Sequence, residues 1–245
     1  MVGAASLTVD QRVGLIEEVA TAAGLLRAGL EALQELDGAN RFYRLPLSLL
    51  AQGLERLMKV AFALVQLEDA GTLPTVGDIR KIGHNLTALL DRCAAIAARP
   101  ASQSRPAAAD DAAFLAGDRD LRELVVAIAA YGDAERYADL GRFIGDPAAR
   151  TQDPDGRMSA LEAGILKRYP EWEARIAEPS FRGFYPVLVG DLTATVQRLA
   201  RAVSRFLVWD LTGDVGRQAS GPLTPLLTLR DQDLRALPRR WRPGP

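Results

Sequence analysis

Apolar residues recur along most of this chain at steps of three and four, and that period is the strongest constraint on its fold. In the clearest stretch they fall at Leu47, Leu50, Leu54, Leu57, Ala61 and Leu64, with Ala51, Met58 and Val65 beside them. At about 3.6 residues per turn these positions share one face of a helix, whereas a half-buried strand needs strict alternation. An earlier stripe runs through Val13, Ile16, Ala20, Ala23, Leu26, Leu30 and Leu33. Thr8 or Asp10 can cap its start, and Asp37-Gly38 ends it. Pro46 opens the second helix, where a proline in the first turn costs little. The two helices are predicted to form an antiparallel pair joined through Asn40-Arg41-Phe42-Tyr43-Arg44.

The pattern continues after a break at Gly71 to Gly77. Leu86, Leu89, Leu90, Cys93 and Ile96 mark a third amphipathic helix, and Leu121, Leu124, Val125, Ile128 and Tyr131 a further one. A moderate helix is expected from Met158 to about Lys167, with Pro170 breaking it. The last strong stripe is Leu188, Leu192, Val196, Leu199, Val203, Phe206 and Leu207, with Gly213 and Gly216 terminating its helix. Loops are expected over about residues 99–111 and 145–157, and a tail over 213–245 that holds a short helical turn near Asp231. No run alternates long enough for a sheet. The prediction is a single all-α domain over residues 1–245, with its core in about 10–143 and 187–212.

Composition narrows the function. Hydrophobic residues make up 48% and charged residues 25% of the 245, which suits a packed core. A formal net charge of -1 supplies no global field for nucleic acid or an anionic membrane. Cys93 and His84 are the only cysteine and histidine, so neither a disulfide framework nor a four-ligand Cys/His zinc site is available. No metal or other cofactor is expected. Met1 to Thr8 lack a signal-peptide pattern, and charges interrupt every long apolar stretch. The expectation is a cytoplasmic chain with no membrane segment. Phosphate loops, dinucleotide fingerprints and the G-x-S-x-G elbow are all missing.

A small set of polar residues stands out against this background. Glu55 and Lys59 lie four apart on the second helix, where such a pair stabilises by about 0.2–0.5 kcal/mol. They sit at the edge of the apolar stripe and can also reach a polar network. His84 follows Gly83 in Arg80-Lys81-Ile82-Gly83-His84-Asn85-Leu86. Gly83 permits a bend, and Asn85 or His84 caps the third helix. The imidazole can hydrogen-bond a helix N-terminus or a carboxylate such as Glu55, and a ligand or catalytic role is the alternative. Arg136-Tyr137 is an amphipathic contact, and Arg239-Arg240-Trp241-Arg242 forms a basic end.

Leu49-Leu50-Ala51-Gln52-Gly53-Leu54-Glu55-Arg56-Leu57-Met58-Lys59 followed by Gly83-His84-Asn85-Leu86 resembles the HEPN superfamily. There an E-x-x-x-K-like helix precedes a G-H-[DN]-L turn, and Arg136-Tyr137 resembles a later R-Y element. The resemblance covers about residues 10–140, and the helix near 187–210 can complete the bundle. It implies an up-and-down helical bundle, here with extra C-terminal helices, that is often dimeric. Many relatives are metal-independent ribonucleases of toxin–antitoxin, CRISPR and anti-phage systems, built on an R-x(4–6)-H motif.

This chain departs from that motif. Only three residues separate Arg80 from His84, and the late helix carries Arg198, Arg201 and Arg205 but no histidine. The expected function is therefore a non-catalytic HEPN-like binding or assembly module, homodimeric, with a protein partner in a bacterial stress or anti-phage defence system. The alternative is an atypical ribonuclease or nucleotide-processing toxin that uses His84 with Arg80 or Arg136 on RNA or a nucleotide. The candidate polar cluster is Glu55, Lys59, Arg80, His84, Asn85, Arg136 and Tyr137, with no assigned catalytic residue.

Overall fold

A computed structural model of the chain describes residues 7–37, 42–100, 105–132, 138–147, 153–169, 171, 185–209 and 211–235. Among these residues the regular structure is helical, with no strand, so the all-α reading holds. Helix α1 spans Val9–Gln34 and helix α2 spans Arg44–Ala70. Thr8 caps α1, its side chain accepting from the Gln11 amide while the Gln11 side chain accepts from the Thr8 amide. Gly71 ends α2 in the left-handed region, at φ 71°.

The predicted antiparallel pair is present, and glycine sets its spacing. A β-carbon at Gly53 would lie 2.9 Å from the Leu26 backbone nitrogen and 3.2 Å from the Ala22 carbonyl oxygen. One at Gly29 would lie 3.0 Å from the Leu50 nitrogen. Further toward the start of α1, Glu18 pairs with Arg56 at 2.6 Å. Partners on α2 thus rise in number as those on α1 fall, which fixes the antiparallel sense.

The stripe expected on α1 is corrected in its first half. Val13 is 49% and Ile16 47% exposed, while Val19, Ala22, Leu26, Leu30 and Leu33 form the buried face. Both sets have helical spacing, and they diverge N-terminal to Leu26. Periodicity alone does not say which of two apolar faces turns inward.

Residues 71–82 return along α2, ending in helix α3, Val76–Ile82. Helix α4, Leu86–Ala97, then runs beside α2 in the same direction: Glu55 meets His84, Arg92 lies over Phe62, and Asp69 pairs with Arg99. Helix α5 spans Pro106–Gly117, helix α6 Arg119–Gly132, helix α7 Ala138–Ile144 and helix α8 Pro154–Leu166. The loops expected up to 111 and up to 157 are therefore shorter. Pro106 and Pro154 each sit at a first helical turn, where proline's fixed φ helps start a helix. Pro170, Arg136, Tyr137 and residues 239–242 lie outside the described residues.

Helix α9, Tyr185–Val208, is the central element, packed against α1, α2, α5, α6 and α8. It ends at Val208, before Gly213 and Gly216, and those glycines belong to a further short helix, α10, Gly213–Ala219. A 3₁₀ turn at Gly221–Leu223 follows, then helix α11, Thr224–Leu227, and helix α12, Asp231–Arg235. This segment is not a loose tail. Leu223, Leu226 and Leu234 are buried, the first two in the same core as the bundle.

Candidate functional site

The polar cluster expected on α2 forms in part. Lys59 Nζ lies 2.6 Å from Glu55 Oε1, and His84 Nδ1 lies 3.0 Å from each Glu55 carboxylate oxygen. The side chains of Glu55 and Lys59 are each 17% exposed, so both charges are held near the core edge. Two local features bring His84 to them. Gly83 adopts φ 64° and ψ -151°, a conformation that an L side chain resists, and it closes α3. Asn85 then caps α4 by accepting from the Ala88 amide at 2.9 Å, so the capping role falls to Asn85 and not to His84.

His84 is 69% exposed. Glu55 fixes the ring through Nδ1, and the other ring nitrogen, Nε2, has no described protein partner. A carboxylate on one imidazole nitrogen orients the ring and makes the opposite nitrogen the proton-transfer atom. Arg80 lies on α3 with an exposed side chain and joins none of these contacts. Arg136 and Tyr137, the remaining members of the expected cluster, fall outside the described residues. Among the described residues no three His, Cys, Asp or Glu side chains converge as a metal set, and no helix is long and apolar enough to cross a membrane.

A second constellation was not anticipated from the sequence. A cleft of about 650 Å³ lies between α5, α9, α12 and the end of α8. Arg198, Arg201 and Arg205 line it from α9. Arg205 donates to both oxygens of the buried Asp111 carboxylate, at 3.0 and 2.8 Å. Arg201, whose side chain is 3% exposed, donates to the Leu229 carbonyl at 2.8 Å and to Asp231 at 2.6 Å, while its buried Nε has no partner among the described residues. Among the described residues Arg198 has no carboxylate within ion-pair distance, and it stacks on Phe114, 4.0 Å from the ring centre.

The two carboxylates respond in opposite ways. Burial pushes the Asp111 carboxyl above its ordinary value, against the pull of Arg205 and then of Arg201 and Arg198. The hydrogen bond from Arg201 holds Asp231 below its own ordinary value. At the other end of the cleft, Arg168 pairs with Asp120 and with Asp191, and the Tyr169 hydroxyl donates to Asp191 at 2.9 Å.

One sequence signal pointed to this cleft. Arginines at 198, 201 and 205 recur at steps of three and four on this helix, so they share one face of it. Their partners come from Asp111, read as loop, and from Asp231, read as tail, and spacing along the chain carries no trace of such pairings.

No protein-family model matches the chain, and neither curated proteins nor solved structures yield a match.

Proposed function

We propose that this chain is a HEPN-like, non-catalytic binding and assembly module that works as a homodimer. The observation that carries the proposal is the outer face of α1. Val9, Val13 and Ile16 form an exposed apolar ridge there. Directly C-terminal on the same helix, Ala20, Ala23 and Gly24 line an apolar groove of about 240 Å³ with Pro222 and Pro225. A β-carbon at Gly24 would meet nothing within 4 Å, so the groove floor is open.

A ridge beside a groove on one helix is self-complementary about a two-fold axis. The ridge of one copy fills the groove of the second, and the reverse holds by symmetry. The occupant of this face is therefore a second copy of the chain. The Glu55–Lys59–His84 cluster lends support to the HEPN-like reading, because residues quoted for that resemblance meet in space. A bacterial stress or anti-phage setting, a cytoplasmic location and a further protein partner come with the resemblance alone and are part of the proposal. Light scattering at micromolar concentration tests it: the chain of 26.5 kDa should run at twice that mass, and a monomer contradicts the assembly role.

A second reading has its own observation, the carboxylate of Glu55 on His84 Nδ1. That arrangement suits a general acid–base imidazole acting on the 2′-hydroxyl of RNA, with Arg80 or Arg136 at the phosphate. Cleavage of mixed RNA in the presence of a chelator, lost in a folded His84→Ala variant, would establish this reading in place of the first.

A further inference from the structure

We propose that the cleft beside α9 binds a small zwitterion, its anionic group at Arg198 and its protonated amine at Asp191. The two ends of the cleft carry opposite charge. Toward the C-terminal half of α9 three guanidiniums, those of Arg198, Arg201 and Arg205, face two paired carboxylates, Asp111 and Asp231. Counted by ion pairs, three guanidiniums meet two carboxylates, and among the described residues the guanidinium without a carboxylate partner is Arg198. At the other end Asp120 and Asp191 share one cation among the described residues, Arg168, so this end is net negative. Asp110 also borders the cleft, but it is exposed and outside ion-pair distance of the three guanidiniums. Asp118 also lines the cleft, where it keeps its carboxylate charge while accepting from the Leu121 amide at 2.8 Å.

Spacing and shape agree with such a ligand. Asp191 and Arg198 are seven residues apart on one helix, an axial separation of about 10 Å between their α-carbons. Between them only the small side chains of Ala194 and Thr195 line the cleft, so a short chain can lie along the helix and reach both charges. The cationic end is also built rather than incidental. Arg201 is almost fully buried, lines the cleft and holds an Nε with no partner among the described residues. Phe114 is buried and fixes the Arg198 guanidinium from one face. A cavity that presents fixed charges at both ends favours a ligand of matching polarity over either ion alone, because one association then gains the attraction of both ends.

This inference is independent of dimerisation and is tested on the full chain in whatever oligomeric state it adopts. The probes are O-phosphoethanolamine and ε-aminocaproate, which differ in whether the anionic end is a phosphate or a carboxylate. Inorganic phosphate and propylammonium serve as the separated charges. By titration calorimetry at least one zwitterion should bind about tenfold or more tightly than either separated ion. The tighter of the two identifies the anionic group. Arg198→Gln should weaken that binding about tenfold or more, with little change in the melting temperature of the free protein. Ala194→Leu, which fills the space between the two ends and alters no charge, should do the same. The inference is overturned if neither zwitterion binds at millimolar concentration, if phosphate alone binds as tightly, or if both variants bind undiminished.

Discussion

Glu55 holds His84 through Nδ1 at 3.0 Å while its Oε1 takes the Lys59 ammonium at 2.6 Å. The carboxylate is the shared member, and it lies deeper than the imidazole. Removing it leaves the Lys59 charge at the core edge without its partner, whereas removing His84 exposes little. Glu55→Ala should therefore cost about 1–3 kcal/mol of stability, from the desolvation left uncompensated at Lys59. His84→Ala should stay within about 0.5 kcal/mol of the parent, as surface substitutions do. Urea unfolding monitored by circular dichroism gives both values, and equal losses would show that the imidazole and not the carboxylate anchors the cluster.

The α1–α2 contact is set by backbone approach at Gly53. Adding one methyl there places carbon 2.9 Å from the Leu26 nitrogen, which no side-chain rotation relieves. Gly53→Ala should destabilise the protein by about 1–3 kcal/mol despite its better helix propensity. A gain in melting temperature would mean that the helices can separate without loss.

Cys93 lies in the core on α4, and burial pushes its thiol up to about 12. The thiolate is the reactive form, so native protein at pH about 8 should react with a disulfide reagent far more slowly than unfolded protein. The count of reactive thiols should rise to one on denaturation. Rapid labelling of the native chain would show that α4 opens readily.

Asp231 closes α12 onto α9 through Arg201. Its folded-state carboxyl lies below the ordinary value of 3.8, so folding favours the ionised form. The group adds stability above that value and loses it as the pH falls through the lowered folded-state value. Asp231→Asn should thus melt below the parent near neutral pH, and the gap should close as the solution is acidified past 3.8. Melting curves over stepped pH test this, and a gap that stays constant into strong acid would contradict it.

The helices of the bundle were legible because burial had written a period into them. The α2 stripe from Leu47 to Leu64 is buried as the spacing predicts, while capping chemistry left Asn85 and His84 as alternative caps and Glu55 as one of two partners for the imidazole, choices the structure makes for Asn85 and Glu55. Other features were illegible for physical reasons. On α1 two apolar faces share Leu26, and only the partner helix decides that Val19 and Ala22 turn inward while Val13 and Ile16 do not. Asp111 lies in a stretch whose proline and alanine content reads as loop, although Pro106 at the first turn makes it a helix. Its partner, Arg205, is 94 residues further on, and Arg201 finds its carboxylate in the segment after Gly213. Long-range ion pairs of this kind leave no local period, so the cleft emerged only in three dimensions.

The outward ridge on α1 is the feature on which the assembly reading depends, and one substitution tests it most directly. Ile16 is exposed and outside the buried core, so Ile16→Glu leaves the fold of the single chain intact. It buries an unpaired carboxylate only if a second copy covers this face. Light scattering of parent and variant at the same micromolar concentration, with matched melting curves, decides the matter. The account predicts a dimer of the 26.5 kDa chain for the parent and a monomer for the variant. A parent that runs as a monomer, or a variant whose mass equals that of a dimeric parent, contradicts it.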